Sequence, residues 1–112
     1  MNYKIKVLRP FERELKWLGK KYHSIKEDYA ALLEELYKNP EAGVSLGNGL
    51  RKVRMAVGSK GRGKSHGARV ITVTVIVNPE EREINLLYIY DKSERDTITA
   101  NEIKALIEEV GL

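Results

Sequence analysis

Basic side chains are concentrated in the middle of the 112-residue chain. No acidic residue lies between Glu41 and Glu80, whereas seven positive charges do. They are Arg51, Lys52, Arg54, Lys60, Arg62, Lys64 and Arg69. The net charge of the whole chain is only +4, so this one segment accounts for its basic character. A basic segment on an otherwise near-neutral domain is typical of a surface that binds a polyanion, although solvated surface charge remains the alternative.

One stretch of this segment matches a phosphate-binding motif. Gly58 to Ser65 (GSKGRGKS) fits the P-loop pattern G-x-x-x-x-G-K-[ST]. A P-loop needs a helix that begins at its Lys-Ser end, so that backbone amides point at the phosphates. Here Arg69 instead leads directly into a Val/Thr/Ile run, and no crossover helix follows. We therefore predict no nucleotide cofactor and a mobile cationic loop between two strands, with a hydrophilic hairpin tip as the alternative.

Hydrophobic periodicity predicts the elements that position these residues. Apolar residues alternate with lysines from Tyr3 to Val7, which predicts a short strand. Two helices follow. The first begins at Pro10, and the second begins after Ser24, which predicts a capping box with Glu27, and ends before Pro40. The short link between the helices predicts an antiparallel helical hairpin that covers a sheet.

Three further strands and a last helix complete the pattern. The strands are predicted over 50–57, 70–77 and 84–90, with a polar link over 78–83. Thr99 and Glu102 predict a capping box for the last helix, which Gly111 ends. The predicted order is β-α-α-β-β-β-α. It indicates an α+β fold with a small antiparallel sheet and helices on one side, in a single domain over 1–112.

Composition narrows the class of protein further. The chain has no cysteine, which excludes disulfides and cysteine-based zinc sites and favours a reducing compartment. No apolar run approaches the about 20 residues of a membrane span, and the first residues lack the apolar core of a signal peptide. The sequence therefore predicts a soluble, cytoplasmic protein that does not associate with membranes.

Three segments resemble the RelE/HigB superfamily of toxins from bacterial type II toxin-antitoxin systems. They are GLRKVRMAV (49–57), GKSHGARVI (63–71) and LLYIYDKSERDTITANEIKAL (86–106). The resemblance extends over nearly the whole chain and is closest to the HigB-like branch. It implies cleavage of mRNA on the ribosome without a metal or other cofactor, and hence inhibition of translation. It also implies a cognate antitoxin as partner, which we expect to be of helix-turn-helix type.

The resemblance also assigns roles to residues. It implies that the catalytic groups are Lys52 and Arg54 on the second strand, Arg69 early in the third strand, and Lys92 after the fourth. The RNA-binding residues would be Arg51, Lys60, Arg62, Lys64 and Arg95, and accessory roles are open for His66, Asp91 and Tyr90. The chain departs from RelE after the last strand, where Ser93 and Ile98-Thr99 stand in place of an Arg and a Tyr. A catalytically degenerate RNA- or ribosome-binding module is therefore the alternative.

These residue types suit the cleavage of RNA without a metal. The RNA 2′-hydroxyl can attack the adjacent phosphorus if one group accepts its proton, another protonates the leaving 5′-oxygen, and cations stabilise the phosphorane. Arg69 is predicted to be a fixed bidentate phosphate donor, and Lys52 or Lys92 is predicted to serve as base or acid. A DNA-binding regulator is the third hypothesis, which is weakened because no helix carries a row of base-reading side chains.

Overall fold

A computed structural model describes residues 2–112 as an α+β fold, which confirms the predicted class. The elements are β1 (Asn2–Val7), α1 (Arg9–Lys21), α2 (Ile25–Lys38), β2 (Val44–Gly47), β3 (Leu50–Met55), β4 (Ala68–Asn78), β5 (Glu81–Asp91) and α3 (Ala100–Val110). Two short 3₁₀ turns, Gly58–Lys60 and Lys64–His66, connect β3 to β4. None of the helices described has the length and apolar character needed to cross a membrane.

The five strands form one mixed sheet in the order β1-β5-β4-β3-β2, so the prediction of a four-stranded antiparallel sheet is wrong in two respects. First, β1 runs parallel to β5. No hairpin joins these two strands, so nothing local sets their relative direction. Second, β2 is an additional edge strand, paired antiparallel with β3. Asn48 and Gly49 both have positive φ in the tight turn between them, which is the backbone that an Asn-Gly hairpin turn requires.

Helices cover both faces of the sheet, whereas the sequence predicts them on one. The α1–α2 hairpin buries Phe11 and Leu32 against one face, where Val70 belongs to the same core cluster. On the opposite face α3 buries Ile103, in a second cluster with Ile71. Val70 and Ile71 are adjacent in β4 and point to opposite faces, so both faces need an apolar cover.

One of the two predicted capping boxes is formed. Thr99 Oγ1 accepts a hydrogen bond from the Glu102 amide at 3.1 Å, and the Thr99 amide donates to Glu102 Oε1 at 3.0 Å. The predicted box at Ser24 is wrong, because the Ser24 hydroxyl donates instead to Asp28 Oδ2 at 2.7 Å. The predicted link over 78–83 is also too long, because β4 and β5 extend to within two residues of each other.

Candidate functional site

The register of three neighbouring strands places Arg54, Arg69 and Tyr90 in one row across the sheet. Arg54 on β3 pairs with Arg69 on β4, and Arg69 pairs with Tyr90 on β5. Side chains paired in this way point to the same face with their Cβ atoms about 4.5 to 5.5 Å apart. Two like charges therefore face each other, an arrangement that costs stability unless an anion lies between them.

Two lysines extend the row in opposite directions along the strands. β3 and β5 both run antiparallel to β4 and therefore parallel to each other. Lys52 precedes Arg54 by two residues, whereas Lys92 follows Tyr90 by two. The backbones of Lys52 and Lys92 therefore lie on opposite sides of the Arg54–Arg69–Tyr90 row, but both Nζ atoms reach the 96–97 segment, Lys52 at Thr97 and Lys92 at Asp96.

These side chains line a surface groove of about 600 Å³, here called the cationic groove. Its polar lining residues are Glu35, Lys52, Arg54, Lys64, Arg69, Tyr90, Lys92 and Asp96, and its exposed apolar ones are Val44 and Leu46. All four residues predicted to be catalytic meet here, together with one predicted RNA-binding residue and one accessory residue. A larger cavity of about 880 Å³ lies between α1 and α2, but none of the predicted site residues lines it.

Arg69 is the most deeply placed cation of the groove, with only 7% of its surface exposed. Its guanidinium donates to the backbone carbonyls of Lys64 and Ser65, each at 3.1 Å, and of Ala68 at 3.3 Å. It forms no ion pair with a carboxylate anywhere in residues 2–112. Burial first, and then the positive charge of Arg54, lowers the pKa of Arg69, whereas Tyr90 and Asp96 raise it by less. A buried cation without a counter-ion favours the binding of an anion from outside.

The other cations of the groove differ in how far they are neutralised. Lys92 Nζ lies 2.5 Å from Asp96 Oδ1, and this contact is the first cause that lowers the pKa of Asp96. Lys64 Nζ lies 3.1 Å from Glu35 Oε1. Lys52 Nζ is 3.5 Å from the Thr97 hydroxyl, and the exposed Arg54 side chain has no ion-pair partner among the residues that the structure describes. Lys52, Arg54 and Arg69 are therefore the groove cations without an ion pair, although Asp96 acts on Lys52 and Arg69 at longer range.

Tyr90 places a polar group beside the arginines. The side chain is buried, and its hydroxyl has no hydrogen-bond partner in the described part of the chain, although the Thr97 side chain lies near it. Burial raises the pKa of Tyr90, and the nearby Arg69 and Lys92 lower it by less. The hydroxyl therefore stays protonated at neutral pH, but its oxygen is itself buried and does not reach the surface of the groove.

Four of the residues predicted to bind RNA or assist are turned away from the groove or lie beyond its lining. Arg51 points to the opposite face of β3 and donates to the carbonyls of Ala42 at 3.1 Å and Gly43 at 2.9 Å. Arg95 is paired with Glu102 at 2.6 Å. Arg62 and His66 are exposed near the second 3₁₀ turn but do not line the groove.

Lys60 and Asp91 form a buried ion pair, with Nζ and Oδ1 2.5 Å apart. Asp91 is 2% exposed and also accepts hydrogen bonds from the Tyr22 hydroxyl at 2.6 Å and the Ser93 hydroxyl at 2.7 Å. Burial alone would raise the pKa of Asp91, but the hydrogen bonds from Lys60, Tyr22 and Ser93 outweigh it and hold the pKa well below its usual range. These contacts leave neither Lys60 nor Asp91 free for a ligand, contrary to the roles predicted for them.

The connection between β3 and β4 (58–67) is anchored, whereas the sequence predicts a mobile loop. Ser24 and Ser59 exchange amide-to-hydroxyl hydrogen bonds at 3.0 and 2.8 Å, which holds the first 3₁₀ turn to the start of α2. Gly67 is packed so closely that a Cβ there would lie 2.1 Å from the Met55 carbonyl oxygen. At Lys64 the chain forms a three-residue turn and then β4, so the helix that a P-loop requires is not present at this position.

No protein-family model matches the chain. Within residues 2–112, no group of three or more His, Asp or Glu side chains is placed to hold a metal ion. The functional inference therefore depends on the geometry of the groove and on the resemblance of the three sequence segments.

Asp96, Val44 and Leu46 line the groove but are absent from the sequence-based predictions. Asp96 carries a local signal, since it follows the predicted catalytic Lys92 by four residues. The two apolar residues lie on β2, which the Asn48-Gly49 pair could have revealed as the first strand of a hairpin.

Proposed function

We propose that this protein is a toxin of a type II toxin-antitoxin system, with a RelE-like fold, that cleaves ribosome-bound mRNA and so inhibits translation in the cytoplasm. One observation supports this most strongly: the buried guanidinium of Arg69 faces Arg54, and neither forms an ion pair with a carboxylate of residues 2–112. A phosphodiester bound between the two arginines would supply the missing negative charge.

The row of side chains also suits the transition state of RNA cleavage. When the 2′-hydroxyl attacks phosphorus, the extra negative charge develops on the nonbridging oxygens, which Arg54 and Arg69 would stabilise. The carbonyl contacts of Arg69 engage three of its five N–H groups and so leave two for the phosphate.

Lys52 and Lys92 would exchange the two protons of the reaction. In an in-line displacement the attacking 2′-oxygen and the leaving 5′-oxygen lie on opposite sides of the phosphorus. Both amines lie at the 96–97 segment, so the two transfers would need one lysine to move across the row once RNA is bound, and Lys92 to leave Asp96. The nucleophile belongs to the RNA, so the reaction that we propose uses neither a metal nor another cofactor.

An RNA- or ribosome-binding protein without catalytic activity is the second candidate. The ion pair of Lys92 with Asp96 favours it, because it occupies a cation that the proposed catalysis would use.

A cleavage assay on ribosomes programmed with a defined mRNA separates the two candidates. The nuclease proposal expects cleavage in Mg²⁺-containing ribosome buffer, at the same rate for protein that was treated with EDTA and desalted before the assay. Loss of activity after that treatment of the protein would contradict the proposed mechanism, and absence of cleavage together with retained RNA binding would support the second candidate.

A further inference from the structure

Two large apolar side chains are exposed beside the cations of the groove. Val44 is 68% exposed and Leu46 41% exposed, and both line the cationic groove. Val44 pairs with Lys52 across β2 and β3, so these two side chains share a face. The groove therefore has an apolar wall on β2 next to an unneutralised positive floor on β3 and β4.

The backbone of β2 is irregular where this wall is formed. The register of β2 against β3 shifts between Ser45 and Gly47, the two neighbours of Leu46. Such bulges re-aim a side chain relative to a regular strand. Exposed apolar residues on an edge strand also promote aggregation. Exposed apolar patches of this kind are typical of binding sites.

We propose that Val44 and Leu46 form a platform for the base of a single-stranded nucleotide whose phosphate is held by Arg54 and Arg69. This inference rests on the proposed function and specifies how its substrate is bound. Neighbouring strands are about 5 Å apart, so β2 lies about 5 Å from β3 and about 10 Å from β4. A nucleotide has its planar apolar base and its anionic phosphate separated over this scale, so it can contact the wall and the floor together.

Charge and shape favour a single-stranded nucleic acid over other occupants. A purely apolar peptide segment would leave Arg54 and Arg69 without a counter-ion, and a free inorganic anion would leave the apolar wall exposed to water. In a duplex the bases are stacked and paired inside, whereas in a single strand they are free to pack against protein side chains.

The test compares two double variants on two oligonucleotides. Val44→Thr with Leu46→Thr makes the wall polar and places β-branched residues, which suit a strand, at both positions. Ile76→Thr with Val77→Thr is the matched control, because these residues are also exposed but lie outside the groove. The probes are a short oligodeoxynucleotide, which lacks the 2′-hydroxyl and so cannot be cleaved by this route, and an abasic strand of the same length.

We expect the Val44/Leu46 variant to bind the base-containing strand about fivefold more weakly and the abasic strand as tightly as the wild type does. The Ile76/Val77 variant should bind both strands like the wild type. Equal weakening on both strands, or no weakening on either, would overturn the platform, as would an unchanged oligonucleotide affinity with weakened binding of a co-expressed antitoxin.

The outcome is independent of whether the protein is a nuclease. Base-dependent binding by a wild type that does not cleave mRNA would support the platform and overturn catalysis. Cleavage of mRNA by the wild type, together with unchanged oligonucleotide affinity in the Val44/Leu46 variant, would support catalysis and overturn the platform. Unfolding temperatures of both variants, measured beside the wild type, show whether a lost affinity reflects a lost fold.

Discussion

Arg54 and Arg69 face each other across β3 and β4, but their guanidinium groups are held differently. Arg69 is buried and donates to three backbone carbonyls, whereas Arg54 is exposed and has no ion-pair partner among residues 2–112. Removing Arg69 therefore changes the connection between β3 and β4 as well as the charge of the groove. Removing Arg54 changes the charge alone, so it is the cleaner test of catalysis.

We expect Arg54→Ala to lower the rate of mRNA cleavage about 10²- to 10³-fold, the usual cost of losing one donor to a developing oxyanion. Its unfolding temperature should not fall, because the substitution removes a like-charge contact. Arg54→Lys should recover little of the rate, since an ammonium does not reproduce the planar fork. Single-turnover cleavage and thermal unfolding measure these effects. Arg62→Ala, which removes an exposed charge outside the groove, is the control, and an Arg54→Ala rate equal to that of the control would refute the assignment.

Asp91 is expected to act on stability and not on catalysis. Asp91→Asn leaves Lys60 as a buried charge without its partner, which should lower the free energy of unfolding by about 3 to 5 kcal/mol. Asp96→Asn removes a carboxylate that is 92% exposed and should change the free energy of unfolding by less than about 1 kcal/mol. Denaturant unfolding of the two variants checks this contrast.

The pH dependence of stability should also show the contribution of Asp91. The pKa of Asp91 is held below its usual range in the folded protein, so its stabilisation is complete above the ordinary carboxyl pKa and is lost as the pH falls toward the folded value. The wild type should therefore lose stability steadily below about pH 5, and Asp91→Asn should lose less over that range. If the stability of the wild type and of Asp91→Asn fell in parallel with pH, other carboxyls would account for the acid sensitivity.

At the scale of elements, sequence patterns predict the features that depend on residues close together in the chain. The α1–α2 hairpin, the Thr99 capping box and the pairing of β3 with β4 all follow from patterns within a few residues or from a direct chain connection. The parallel pairing of β1 with β5 joins residues about 80 positions apart, for example Tyr3 with Arg82. No local pattern contains that information, so the direction of β1 could not be predicted.

In the candidate site, too, only the features set by neighbouring strands could be predicted. Arg54 and Arg69 could be placed together because they lie on two strands predicted to pair. The ion pair of Lys60 with Asp91 and the turning away of Arg51 depend on contacts between separate elements. A list of basic residues therefore overestimates the binding surface, because charge on the sequence does not show which cations already have partners.

The connection between β3 and β4 contributes one cation to the groove and keeps others out of it. Lys64 lines the groove, whereas Arg62, two residues earlier, does not. If Lys64 contacts a phosphate, Lys64→Ala should reduce the log-log slope of RNA affinity against salt concentration by about 0.7, and Arg62→Ala should leave it unchanged. Filter binding over a salt series measures both slopes, and equal slopes would place Lys64 outside the RNA interface. ATP binding that vanishes in Lys64→Ala would instead revive the P-loop interpretation.

For the molecule as a whole, the positive charge of the groove is open to solvent on one face of the sheet. Lys52, Arg54 and Arg69 form no ion pair within residues 2–112, so we expect an inhibitor of the proposed activity to supply negative charge or to cover the groove. An antitoxin with an acidic or apolar segment that occupies it would meet this requirement. Binding that depends on charge of this kind weakens with salt.

We therefore expect expression of this protein alone to arrest bacterial growth, and co-expression of its cognate antitoxin to restore it. Arg54→Ala should relieve the arrest on its own, because it removes a groove cation without disturbing the fold. The affinity of the purified pair should fall as salt is raised from about 0.05 to 0.5 M, since the Debye length then shortens to a few ångströms. Growth curves and a salt series of binding isotherms provide the measurements. Normal growth at high expression of the wild type would refute the toxin proposal. A salt-independent affinity would instead place the antitoxin on an apolar surface away from the groove.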